Sequence, residues 1–231
     1  MPEVVPMNST HRNPQDMRLL DALAANNSST RLEAALALGT RPEPGFADAL
    51  IERCGIEPDF FVRDMLTWAL TRLPAQVTVP KLRAQLGSAR PQARSQALHT
   101  LSKIGDRGAW PAITRELLHD ADDDVARSAW RAAVVLVPDA EKQALADALA
   151  TQFGRGDREV RSSLSRALVA LGEIIEPVLR TAMTNPDPVV RAHARATEVL
   201  LRDPDAGFDL AIGEARRVRA LGPDPAESTA C

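Results

Sequence analysis

The chain has little of what most functional classes require. It holds two cysteines, Cys54 inside a helical run and Cys231 at the end, too few for the disulfide framework of a small secreted domain. No window approaches 18 consecutive apolar residues, which excludes a membrane-spanning helix. The opening MPEVVPMNSTHRNPQ lacks the apolar core of a signal peptide, so a cytoplasmic location and no membrane partner are expected. Lysine is scarce, 3 residues against 25 arginines, which we read as the coding bias of a GC-rich bacterial genome and not as phosphate recognition. With a net charge of −3 and a pI near 5.9, the global basic field of a nucleic-acid binder is missing. Tyrosine is absent and aromatics number only eight, so any exposed tryptophan would be conspicuous.

Catalytic patterns are missing too. Asp120, Asp122 and Asp124 open like a calcium loop, but Val125 stands where the loop needs glycine and Arg131 where it needs a bidentate glutamate. The reading is a solvated turn and helix cap. The histidines, His11, His99, His119 and His193, have no Cys or His at metal-binding spacing. No nucleophile elbow, phosphate loop or dinucleotide fingerprint occurs, and Cys54 reads as a buried small apolar residue. A non-enzymatic protein without metal or cofactor is expected.

What is present is repetition. An arginine opens a helical run at Arg31, Arg63, Arg94, Arg127, Arg161 and Arg191, at spacings of 32, 31, 33, 34 and 30 residues. A small or β-branched residue precedes each: Thr30, Val62, Ala93, Ala126, Val160 and Val190. Seven positions on stand Leu38, Leu70, Leu101, Val134 and Leu168, and only the sixth copy breaks rank, with Glu198. Offsets −1, +3, +7 and +10 lie on one helical stripe, so each arginine starts a helix with one buried face. A companion helix is marked by a proline near its start, at Pro80, Pro111 and Pro177. Acidic and Asn/Ser turn clusters separate the helices and supply caps. No segment shows the two-residue alternation of a strand.

A two-helix hairpin of this length cannot bury both stripes alone, so neighbours must stack. The expected fold is an all-α solenoid of about six two-helix units over 15–203. It is followed by a capping helix over 204–221 and flanked by disordered tails at 1–14 and 222–231.

The acidic turn, the Val-Arg opening and the Leu-Gly or Ile-Gly close, as in LSKIGDRGAWPAI and LVALGEIIEPVL, resemble short HEAT-like repeats of the bilin-lyase type. The resemblance covers roughly Asp16 to Asp203. It implies that each repeat arginine reaches a neighbour's acidic turn, with Asp124, Asp157 and Asp187 available.

In such arrays the second helices line the concave face, which binds extended partners. Offsets +1, +5 and +9 leave the buried stripe and nominate Asp64, Trp68 and Arg72, then His99 and Lys103, with Arg131 and Arg166 on or near the same ridge. Trp130 is expected in the core, Trp110 as a wedge between repeats, and Trp68 as either core or contact residue. The leading expectation is a scaffold that binds a protein partner on this face, monomeric by default. Two alternatives remain: a DNA-repair protein like the HEAT-like alkylpurine DNA glycosylases, against which the acidic pI argues, and a lyase or chaperone for a cofactor-bearing protein.

Overall fold

Six capping positions mark where the second helices begin, and five of the six carry Asn or Asp for a physical reason. The side chain accepts the free amides of the next turn, as Asn27 Oδ1 does from Ser29 N at 2.8 Å and Asp122 Oδ1 from Asp124 N at 3.0 Å. Asp59, Asp157 and Asp187 act alike, while at Arg90 the following Pro91 sets the first turn instead. The computed structural model describes residues 13–203, and among them every regular element is a helix. The expected helix over 204–221 and the tail at 222–231 lie outside the described residues, as does most of the tail at 1–14.

The chain divides into two compact units, Met1–Leu82 and Arg83–Cys231. The first holds the pair α1 (Pro14–Ala22) and α2 (Ser28–Thr40), the pair α3 (Ala47–Cys54) and α4 (Phe60–Thr71), and most of α5 (Ala75–Gln85). The second holds α6 (Pro91–Ile104), then three pairs: α7 (Arg115–Leu118) with α8 (Asp123–Leu136), α9 (Lys142–Ala150) with α10 (Arg158–Val169), and α11 (Glu176–Met183) with α12 (Pro188–Arg202). Short 3-10 turns lead into α3, α7, α9 and α11. Five pairs lie within the units and α5 and α6 follow one another across their boundary in sequence, in the all-α solenoid class that the repeat predicts. Pro80 is a correction: it lies inside α5, which starts five residues earlier at Ala75. Pro177 does stand in a first turn.

In the first unit α4 packs on both α2 and α3, and Leu38, Leu50, Leu66 and Leu70 are sealed from water. Beside them sits a buried carboxylate. Glu57 receives Arg31 through two bonds of 2.8 and 2.7 Å, Arg53 at 2.7 Å and the Asp59 amide at 2.9 Å. Burial alone would raise its pKa; the Arg31, Asp59 and Arg53 donors outweigh it and hold the group at about 2. Arg31 also donates to the carbonyls of Ala25 and Asn26, so one side chain ties its own turn to the next.

In the second unit α6, α8, α10 and α12 pack in succession. Leu98, Leu101, Leu136, Leu164 and Leu168 form the sealed stripe. Polar staples join neighbours where the stripe ends: Ser95 Oγ meets Ser128 Oγ at 2.9 Å, and Ser165 Oγ meets Thr197 Oγ1 at 2.7 Å and His193 Nε2 at 3.0 Å. Trp130 is buried, as expected, with its indole N–H donating to Leu118 O at 2.8 Å.

The caps also correct the register. Asn27, Asp59, Arg90, Asp122, Asp157 and Asp187 step by 32, 31, 32, 35 and 30 residues. Four residues after each cap stands the repeat arginine, except in the fourth copy, where that place falls to Ala126 and Arg127 is one residue late. The displacement explains two features. Arg127 reaches Asp124 and Glu159 only at 3.6 and 3.7 Å, and its buried Nε has no hydrogen-bond partner. Arg155 instead reaches back from the next repeat, donating to the Asp120 carbonyl and pairing with Asp123 at 2.8 Å over the Trp130 ring. Elsewhere Arg63, Arg94 and Arg191 donate to the carbonyl six residues before them. Asp120 is the corresponding position for Ala126.

The acids that the resemblance implied are corrected with it. Among the repeat arginines, Arg31 crosses to Glu57 and Arg94 to Asp120 at 2.9 Å, while Arg127 reaches Glu159 only at 3.7 Å. Asp157 and Asp187 serve as caps, and Asp124 faces Arg127 along its own helix.

Leu168→Ala should cost about 2–5 kcal/mol in chemical melts. Leu36→Ala, at an exposed position of α2, should stay within about 0.5 kcal/mol. Equal melts for the two would misplace the buried stripe.

His193 gives a pH prediction. Burial lowers its pKa from 6.5 to about 4, against the raising effect of the Arg161 carbonyl. Since the folded value lies below the unfolded one, its contribution is present above about pH 6.5 and lost as pH falls towards 4. The loss is on the order of 3 kcal/mol. Urea melts at pH 7, 5 and 4 should show that fall in wild type and a flatter profile in His193→Gln.

Candidate functional site on the second helices

Counted from the caps, the fifth residue after the arginine position turns out of the buried stripe in the first, second, fourth and fifth copies, is the half-buried His99 in the third, and is the fully buried Ala196 in the sixth. In the first unit those residues are Leu36, 47% exposed, and Trp68, 37% exposed. Trp68 is thus neither core nor free. One edge of its ring lies on Gly39 of α2, where a Cβ would fall within the ring's van der Waals envelope and 2.9 Å from Ala69 Cα. The other edge meets water. Asp64 and Arg72 are exposed on the same helix, Arg72 at its C-terminal cap.

The second unit places His99, Arg131 and Arg166 at this offset on α6, α8 and α10, with Lys103 one turn below His99. Lys103, Arg131 and Arg166 are exposed and His99 is half-buried. Arg131 donates to Arg127 O at 3.3 Å and to Ser128 Oγ at 3.2 Å, with no carboxylate in reach. Partial burial lowers its pKa and the neighbouring Arg127 charge lowers it further, while the Asp124 carboxylate acts the other way.

Cys54 and His193 are withdrawn from solvent. Burial pushes the Cys54 thiol up to about 12, so it carries no thiolate near neutrality. His193 is buried and neutral, accepting the Gly154 amide on Nδ1 at 3.1 Å. Of the acidic run, Asp122 caps α8 and Asp120 pairs with Arg94.

Two exposed groups escaped the sequence reading. Leu36 stands in the same row as Trp68, so reading the first copy at +5 would have found it. Phe60 and Phe61, 65% and 71% exposed, follow the Asp59 cap and precede the buried stripe, which turns them outward. Their rings meet edge to face at 5.6 Å, and Arg63 lies 5.9 Å from the Phe60 ring.

The family model of HEAT repeats matches residues 62–135, the stretch from α4 into α8. No curated protein matches the chain. Among solved structures the chain is similar to one in the complex of CpcE and CpcF of phycocyanin lyase from Nostoc sp. PCC7120, at 17% identity and a TM-score of 0.47. That match covers 97% of this chain and 95% of the other. The likeness is too low to carry function. The HEAT-repeat match, by contrast, agrees with the helix pairs and their arginine-capped turns.

Gly39→Ala should push the Trp68 ring off its seat. A loss of about 1–3 kcal/mol is expected, with a red-shifted tryptophan emission as the ring moves into water. Unchanged emission would mean the ring does not rest on Gly39.

Proposed function

We propose that the chain is a non-catalytic HEAT-type scaffold that holds a protein segment on a face formed by neighbouring second helices within a unit. One observation carries the reading: within each unit, neighbouring second helices carry exposed side chains at the same offset, Leu36 and Trp68 in the first and Arg131 and Arg166 in the second. Trp and Arg are the residues that interface centres favour. The withdrawal of Cys54 and His193 into the interior supports a non-enzymatic role, since neither can meet a substrate. The net charge of −3 supports a protein partner over bulk phosphate binding.

A photo-crosslinking residue at position 68, 131 or 166 should trap a discrete protein from nuclease-treated lysate. The same residue at Glu52 or Asp147, exposed on first helices, should not. Adducts from Glu52 and Asp147 alone would move the binding face to the first helices. Adducts that vanish with nuclease would replace the protein partner by nucleic acid.

A further inference from the structure

The charges on the second helices of the second unit are divided unevenly. α6 contains no carboxylate at all, and the carboxylates of α8, α10 and α12 are Asp123, Asp124, Glu159 and Glu198. Each already has an arginine: Asp123 has Arg155 at 2.8 Å, Glu198 has Arg202 at 2.8 Å, and Asp124 and Glu159 share Arg127 at 3.6 and 3.7 Å. Asp123, Asp124 and Glu159 also sit in first turns, off the +5 row, where they complement the helix dipole. Lys103, Arg131 and Arg166 have no carboxylate partner among the described residues. On this face the anions are matched and the cations are not.

The spacing of those cations selects a ligand conformation. Packed helices lie about 8–10 Å apart, so the +5 row offers one polar or cationic group at about that interval. A polyproline II segment advances about 3.1 Å per residue with three residues per turn, so every third side chain faces the same way about 9 Å further on. A β-strand alternates faces every two residues and falls out of step.

Resting on the scaffold reading above, we infer that the α6–α8–α10 face binds an acidic peptide segment in polyproline II form, with a carboxylate at every third residue. Arg166 and Arg131 take successive carboxylates, and the next falls to His99 and Lys103 on α6. An evenly charged but differently spaced acidic peptide satisfies one cation and misses its neighbours. Nucleic-acid phosphates, closer together along their backbone, match the interval less well.

The test is fluorescence anisotropy with the full chain and labelled twelve-residue peptides. The probes are (Glu-Pro-Ala)4, an isomer with its four glutamates adjacent, a lysine counterpart (Lys-Pro-Ala)4, and single-stranded oligothymidylate. The spaced peptide should bind at least tenfold more tightly than its isomer, and its affinity should fall as salt rises from about 50 to 300 mM. The lysine peptide should not bind. Arg131→Glu and Arg166→Glu should each weaken the spaced peptide about tenfold, whereas Arg115→Glu, on α7, should not; circular dichroism verifies that all three remain folded. Equal affinity for spaced and clustered peptides overturns the spacing argument, and tighter oligothymidylate binding replaces the peptide by phosphate. If no acidic peptide binds while crosslinks form at 131 or 166, the acidic ligand is wrong and the scaffold reading stands. If those crosslinks fail as well, both fall.

Discussion

No helix pair in this protein can be dry by itself, and the other features follow from that constraint. A second helix of 12 to 15 residues presents apolar side chains to more than one neighbour, as α4 does to α2 and α3. Within each unit, stability is therefore a sum of neighbour interfaces more than of isolated helices. Such an interface must also deal with the polar groups at the turns. Glu57 with Arg31 and Arg53, and Asp120 with Arg94, place a paired charge where two turns meet. Removing one partner would leave a buried charge uncompensated, so these pairs fix the register of neighbouring repeats more than they add net stability.

The fourth repeat shows how strongly the turn demands a guanidinium. The helix there starts so that Ala126 takes the arginine's place, and the Asp120 carbonyl would lack its donor. Arg155 fills that need from the following repeat, and its side chain lies over Trp130, which itself donates to Leu118. The step of 35 residues into the fifth copy is the longest in the array. Its extra residues include Gly154 and Gly156, both at positive φ, in the loop that brings Arg155 back. An irregular spacing, which on sequence looks like drift, thus repairs the site of a displaced arginine.

Much of this was legible in sequence because a repeated physical problem leaves a repeated solution. The helix period recurs six times and the Asn or Asp cap and the apolar stripe five times each, so the all-α class could be read without a structure. Single-residue register was not legible, because Ala126 and Arg127 are both compatible with the surrounding pattern and only the Asp122 cap decides between them. Nor were the ion pairs. A sequence places Asp124, Asp157 and Asp187 near the turns, but which carboxylate a neighbour's arginine meets depends on how the turns stack, and Glu57 and Asp120 win. Trp68 was ambiguous for a similar reason. Its exposure is decided by the residue across the interface, and Gly39 leaves just enough room for half the ring.

The same logic separates structural from available charge. An arginine that ties a turn is consumed by it: Arg31, Arg63, Arg94 and Arg191 all donate to backbone carbonyls and cannot turn outward without opening the chain. Five residues on, a side chain on the same helix has no such duty, except in the sixth copy, where Ala196 is fully buried. In the second unit that position is filled by His99, Arg131 and Arg166, while nearby carboxylates are held by other arginines. The Arg127 charge works against that of Arg131, and Asp124, paired with Arg127 at 3.6 Å, offsets it only in part. A cost that the fold offsets only in part is one that stability alone would favour removing, which supports the proposal that this ridge meets a partner.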